Sequence, residues 1–277
     1  MMSIRYVISG AILLVAAALG GARLPRGREL LYTAICGIIC IGIGNGFLAI
    51  VEQWLPSGLA AVFYTTSPFW MVGIDALLPH GNRPRLTTIG GLVMGFFGVF
   101  YLVLPAVQGE GISGHTVIGF LLLQLSGIGW SLGALLQKRV RTNTAPFISG
   151  AVQQFAAGVA LAIPAVILEK APHGVALRSE LAVAYLVVFG AIIGFSSFIY
   201  AMSRLPVALV SIYTFANPIV AVFLGWLILN EPFGYRELIA MVVIFSGIAL
   251  VRRSEIARQQ KIPALAAEEA GATAIGE

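Results

Sequence analysis

Charge is what this chain of 277 residues has least of: Asp, Glu, Lys and Arg make up 10% of it, against 58% hydrophobic residues. A soluble domain carries roughly 25% charged residues. So few charges cannot cover a water-facing surface, which makes lipid the solvent. Cysteine is nearly missing too. Cys36 and Cys40 lie four apart inside an apolar run, with no histidine to complete a metal site, and read as small packing residues. His80, His115 and His173 fall between the apolar runs with no ligand spacing. No G-x-x-x-x-G-K-[ST] loop occurs, which speaks against ATP hydrolysis within this chain. No cofactor and no metal are expected.

What is present is a set of nine stretches free of Asp, Glu, Lys and Arg: 6–22, 30–51, 53–74, 86–109, 116–137, 142–168, 181–203, 205–230 and 238–251. A helix needs about 20 apolar residues to cross a bilayer, range roughly 17–25. All but the last reach that length, and the last spans by borrowing flanks such as Phe233 and Tyr235. The expected fold is an all-α integral membrane protein with nine transmembrane helices and no soluble domain. Beyond residue 253, "SEIARQQKIPALAAEEAGATAIGE" has little apolar periodicity and is expected to be a disordered cytoplasmic tail. Glycine is abundant, 32 residues. The pairs Gly91/Gly95, Gly129/Gly133 and Gly190/Gly194 have the spacing that lets membrane helices approach closely.

The basic pI near 9.5 reflects topology. With the first run going from outside to inside, the cytoplasmic loops and tail hold Arg23, Arg26, Arg28, Arg83, Arg85, Lys138, Arg139, Arg141, Arg204, Arg252, Arg253, Arg258 and Lys261. The other side keeps Arg5, Lys170, Arg178 and Arg236. Positive residues are retained in the cytoplasm, so the N-terminus is expected outside, the C-terminus inside, and no nucleic-acid partner. Residues 1–25 are expected to be a retained helix and not a signal peptide, because Arg23, Arg26 and Arg28 follow the apolar run.

Two stretches break the apolar pattern alike. "WLPSGLAAVFYTTSPF" (54–69) aligns with "RLPVALVSIYTFANPI" (204–219), pairing Pro56 with Pro206, Ser67 with Asn217 and Pro68 with Pro218. "IGGLVMGFFGVFYLV" (89–103) aligns with "LIAMVVIFSGIALV" (238–251), with Gly98 on Gly247. Run 30–51 corresponds to 181–203, and 6–22 to 142–168. The copies run in opposite directions, which is the inverted-repeat architecture of many secondary transporters. Residues 1–109 form the first repeat, 110–253 the second and 254–277 the tail. Pro68 and Pro218 are expected to mark two copies of one helix break, since proline removes a helical hydrogen bond. Run 116–137 has no counterpart in the first half.

These features resemble the drug/metabolite transporter superfamily, specifically the EamA-type ten-helix permeases. The likeness is carried by "WSLGALLQKR" (130–139), "RLPVALVSIYTFANPIVAVFLGWLILNEPF" (204–233) with Glu231-Pro232 after its helix, and the closing "GIALV". The loop "LPHGNRPR" (78–85) departs from the pattern in having no acid. The resemblance covers roughly residues 3–252. It implies an inner-membrane permease, an exporter of small organic metabolites, amino acids or drugs, that lacks the first of ten helices. It also implies a cavity lined by the family's third, fourth, sixth, eighth and ninth helices.

Polar residues inside a membrane tend to face an interior or a water-filled cavity. The candidates for substrate contact are Asn45, Tyr64, Ser67, Trp70, Gln124, Trp130, Ser196, Tyr200, Tyr213 and Asn217, with interhelical hydrogen bonding as the plainer role. Such hydroxyls, amides and aromatic faces suit a neutral, zwitterionic or amphipathic solute. Asp75, the one acid deep in a run, is either a coupling site or the partner of Arg83 or Arg85. The expected partners are a small-molecule substrate and the bilayer, with a homodimer left open. Two rival readings remain: a transport-inactive membrane protein, and a membrane-embedded enzyme, for which no nucleophile and base share a run.

Overall fold

The computed structural model describes residues 1–55, 57–79, 81–108, 114–139, 144–168, 177–229 and 234–275. Pro56, His80, His173, Lys170, Arg141, Glu231, Pro232 and Phe233 lie outside them. Among the described residues every regular element is helical, and they assemble into nine rods. α1 is Met2–Leu19. α2 joins Arg28–Gly37, a π-helical stretch Ile38–Ile43 and Gly44–Val51. α3 joins Ser57–Tyr64 to Ser67–Leu77. α4 is Leu86–Gln108, α5 is Gly114–Arg139 and α6 is Pro146–Leu168. α7 joins Leu177–Tyr185, a π-helical stretch Leu186–Phe195 and Ser196–Arg204. α8 joins Val207–Ser211 to Tyr213–Leu229, and α9 is Tyr235–Ile275.

Six rods are each long and apolar enough to cross a bilayer: α1, α2, α4, α5, α6 and α7. The other three fall short as single helices for visible reasons. α3 is interrupted at Thr65-Thr66, α8 at Ile212, and the apolar part of α9 ends at Arg252-Arg253. The outer surface fits lipid, since Leu19, Leu77 and Val166 are 85%, 87% and 82% exposed. Water would not tolerate an apolar surface of this extent.

Helix ends follow local chemistry. Gly21 and Gly27 take φ of 66° and 56° between α1 and α2, a region glycine enters without strain. Leu78 and Leu205 are extended and end their helices, as residues before Pro79 and Pro206 must be. At the start of α9 the Glu237 carboxylate accepts the Gly234 N–H at 2.8 Å, reaching back to cap the helix. Its own backbone N–H and that of Gly234 hold its carboxyl below the usual carboxylate range. α9 also differs from expectation: it continues as helix to Ile275, through the stretch expected to be disordered. Ala, Glu, Lys and Gln dominate that stretch, and their helix propensity is high.

The contacts between rods are reciprocal. α1 packs antiparallel along α6: a side chain at Gly10 would strike Phe155, and one at Gly158 would strike Val7. A shift of 148 residues turns the first contact into the second. α4 packs antiparallel along α9 in the same manner. Gly98 abuts Ile244 and Gly247 abuts Gly95, interchanged by a shift of 149 residues. Reciprocity of this kind is what a two-fold axis between equivalent elements produces. The π-helical stretches of α2 and α7 also fall at matching places in the aligned runs.

Of the three glycine pairs, Gly91/Gly95 press on α9 and Phe215 of α8, and Gly129/Gly133 press on Ile43 and Cys40 of α2. Gly190 instead faces the Arg5 side chain of α1, and Gly194 meets only the Phe189 carbonyl of its own helix. Both border a cavity.

Candidate functional site

Between the rods lies a cavity of about 700 Å³. It takes Arg5 and Tyr6 from α1, Asn45 from α2, Tyr64 from α3, Trp130 from α5, Phe195 and Phe198 from α7, and Tyr213 and Asn217 from α8. Both proposed repeats therefore contribute. Its aromatic wall is continuous. Trp130 and Phe198 have ring centroids 4.9 Å apart, and Phe198 meets Tyr213 edge-on at 5.6 Å. The Trp130 indole N–H lies near the Tyr213 hydroxyl yet completes no hydrogen bond, which leaves a buried donor for a guest. Asn45 donates through Nδ2 to the Tyr6 hydroxyl, fixing one polar corner.

Five of the ten expected contact residues line this space: Asn45, Tyr64, Trp130, Tyr213 and Asn217. The other five are placed elsewhere. Gln124 and Trp70 belong to the repair of the broken helix α3. Gln124 Oε1 accepts the Trp70 indole N–H at 2.8 Å, and its Nε2 donates to the Phe63 carbonyl at 3.3 Å. The Thr66 hydroxyl donates either to Phe63 O at 2.7 Å or to Gln124 Oε1 at 2.8 Å. Ser67 packs beside Gly127 of α5. A membrane tolerates an interrupted helix only where its freed carbonyls find partners, and here the Thr65 and Thr66 hydroxyls and Gln124 supply them. Ser196 is buried with its hydroxyl unpaired, and its neighbour Ser197 faces the cavity instead. Tyr200 stacks on Phe147 with 45% exposure, so it looks outward. The π-helical stretch ending at Phe195 shifts the helical register by a fraction of a turn, which a 3.6-residue reading misses.

The prolines behave differently from each other. Pro68 follows the Thr65-Thr66 interruption directly, as expected. Pro218 lies inside the unbroken Tyr213–Leu229 helix, and the interruption of α8 falls at Ile212. The matching prolines therefore do not mark matching breaks. Asp75 pairs with Arg139 of α5 at 2.7 Å, not with Arg83 or Arg85, and its side chain is 8% exposed. Arg139 also donates to the Pro79 carbonyl, fastening the end of α3 to the end of α5.

Among the charged and aromatic residues of the cavity, Arg5, Tyr6, Phe195 and Phe198 escaped the sequence reading. Arg5 reads as a flank of the first run, since it precedes the charge-free stretch by one residue. Helix α1 begins earlier, at Met2, and carries Arg5 into the bundle.

Apolar rods around an aromatic cavity, with a lipid-facing exterior, describe a membrane transporter of small molecules. The profile of the EamA-like transporter family matches residues 1–104 and 117–253, and the chain belongs to that family. It is 33% identical over 253 residues to the inner membrane transporter YedA of Escherichia coli (strain K12), covering 91% of this chain and 80% of that one. It is 26% identical over 266 residues to a protein of Streptantibioticus cattleyicolor named as a probable terminal-alkyne amino-acid exporter, covering 93% and 84%. A solved crystal structure superposes with a TM-score of 0.77 at 23% identity, over 91% of this chain and 87% of that one, a likeness of fold. The chain is thus a multi-pass inner-membrane protein and, by its family, a transporter.

Proposed function

We propose that this protein exports a small organic metabolite, of amino-acid size, by alternating access across the inner membrane. The observation that carries the proposal is the cavity of about 700 Å³ bordered by both halves of the chain. Binding at the interface between inverted repeats is how such transporters expose one site to either side. In this reading 1–109 and 110–253 are the two repeats, antiparallel along α1–α6 and α4–α9. The N-terminus is outside and the C-terminus in the cytoplasm. The volume falls within the ordinary range for small-molecule sites, roughly 300–1,000 Å³. The named activity of the Streptantibioticus cattleyicolor relative supports an amino-acid-like solute and the outward direction.

The test is counterflow of radiolabelled amino acids into proteoliposomes holding the purified chain. Trp130→Ala and Tyr213→Ala each remove an aromatic wall, an effect of about 1.4 kcal/mol or more for a buried ring, hence about tenfold or more in apparent affinity. The expected outcome is loss of counterflow with unchanged yield of folded protein. Full counterflow in both variants places the solute elsewhere.

A further inference from the structure

Arg5 is the single charged side chain among the described residues bordering the cavity. Its guanidinium carbon stands 5.0 Å from the centre of the Tyr6 ring, and its Nε is buried without a hydrogen-bond partner. The ion pairs among the described residues are Arg23–Glu29 and Arg139–Asp75, so no acid of that set neutralises it. Gly190, in the π-helical stretch of α7, makes room for the group: a Cβ at that position would lie 2.5 Å from Arg5 Nη2. A guanidinium held over a ring, with an unmet donor and no counterion, is costly to bury unless an anion arrives. Its planar fork of N–H groups suits a carboxylate, which it can engage through two parallel hydrogen bonds.

We propose that Arg5 is the anion subsite of this cavity, and that the transported solute carries a carboxylate on an apolar or aromatic body. The inference rests on the reading of the cavity as the transport site. The body lies against Trp130, Phe198 and Tyr213, and Asn217 completes the polar side. Gly190 shapes the subsite by leaving the guanidinium space to turn toward the guest. The low dielectric of the bundle strengthens the pairing and disfavours solutes that are neutral where the carboxylate should be.

The experiment is calorimetric titration of the full chain in phosphatidylcholine nanodiscs with N-acetyl-L-phenylalanine and with its neutral amide. The two probes differ only in the carboxylate. Wild type is expected to bind the acid about tenfold more tightly than the amide or better, a difference of about 1.4 kcal/mol. Arg5→Gln removes the preference while leaving binding of the amide, which also reports that the cavity is still folded. Arg5→Lys keeps part of the preference, as a point charge without the fork. Equal binding of acid and amide by wild type, no binding of either, or a preference that survives Arg5→Gln overturns the proposal. Equal binding would leave Arg5 to the phosphate of a lipid headgroup. Counterflow is scored separately. Counterflow of amino acids without an Arg5-dependent preference overturns the anion subsite alone. An Arg5-dependent preference without any counterflow overturns the transport reading and leaves the subsite standing.

Discussion

Gln124 shows how one side chain can decide whether a helix may break inside a membrane. It accepts from Trp70, donates to the Phe63 carbonyl and stands within reach of the Thr66 hydroxyl. Replacing it with leucine strands the part-buried Trp70 indole N–H, at about 1–3 kcal/mol, while the Phe63 carbonyl keeps the Thr66 hydroxyl. Gln124→Leu is therefore expected to lower the thermal unfolding midpoint in detergent, and an unchanged midpoint would assign the repair to water or to another residue. Asp75 and Arg139 form the second such anchor, tying α3 to α5 at 2.7 Å. Breaking a buried pair from one side costs about 3–5 kcal/mol when fully buried, and less here because the Arg139 side chain is 27% exposed. Asp75→Asn and Arg139→Gln should each destabilise, while the double variant recovers part of the loss. Additive losses in that cycle would show that the pair contributes nothing as a pair. Gln124 and Asp75 both stand out in the sequence as polar groups of apolar segments, but their pairings do not, because the partners lie about 60 residues away.

Helix elements depend on close approach wherever glycine meets backbone. A Cβ at Gly133 would lie 2.4 Å from the Cys40 backbone nitrogen, within the π-helical stretch of α2. That contact cannot yield by turning a side chain, so overpacking of about 1–3 kcal/mol is expected. Gly133→Ala should lower stability, measured against Gly73→Ala, whose added methyl meets nothing within 4 Å and gains helix propensity. The reverse order of stabilities would mean that α2 and α5 separate more easily than their packing implies. Glycine spacing alone does not tell these positions apart. Gly129/Gly133 and Gly190/Gly194 have the same spacing, yet one pair seats a helix and the other opens a cavity. The difference arises because the sequence register is read at 3.6 residues per turn, and the π-helical stretch of α7 departs from it.

At the scale of the whole molecule, reciprocal contacts of α1 with α6 and of α4 with α9 argue for two equivalent halves of opposite direction. Reporters fused at Met1 and after Val251 should place the first outside and the second in the cytoplasm. Both termini on one side would dismantle the inverted pairing and the site drawn from it. The class of protein follows from composition alone, because a chain with 10% charge can expose only what lipid accepts. The rods follow from the same runs, and so does the pairing of Gly98 with Gly247. Half of the expected cavity residues were readable as polar or aromatic groups with no reason to face lipid. The rest were decided in three dimensions. Which polar group serves the bundle and which serves a guest depends on what the neighbouring rod presents, as with Gln124 beside Trp70 and Asn217 beside open space. Arg5 likewise looks like a membrane flank in one dimension and becomes a cavity cation only when α7 offers Gly190 opposite it. Composition and order along the chain determine the solvent and the rods. Side-chain roles required the packing, since a hydrogen bond or a void is a relation between distant residues that no single run contains.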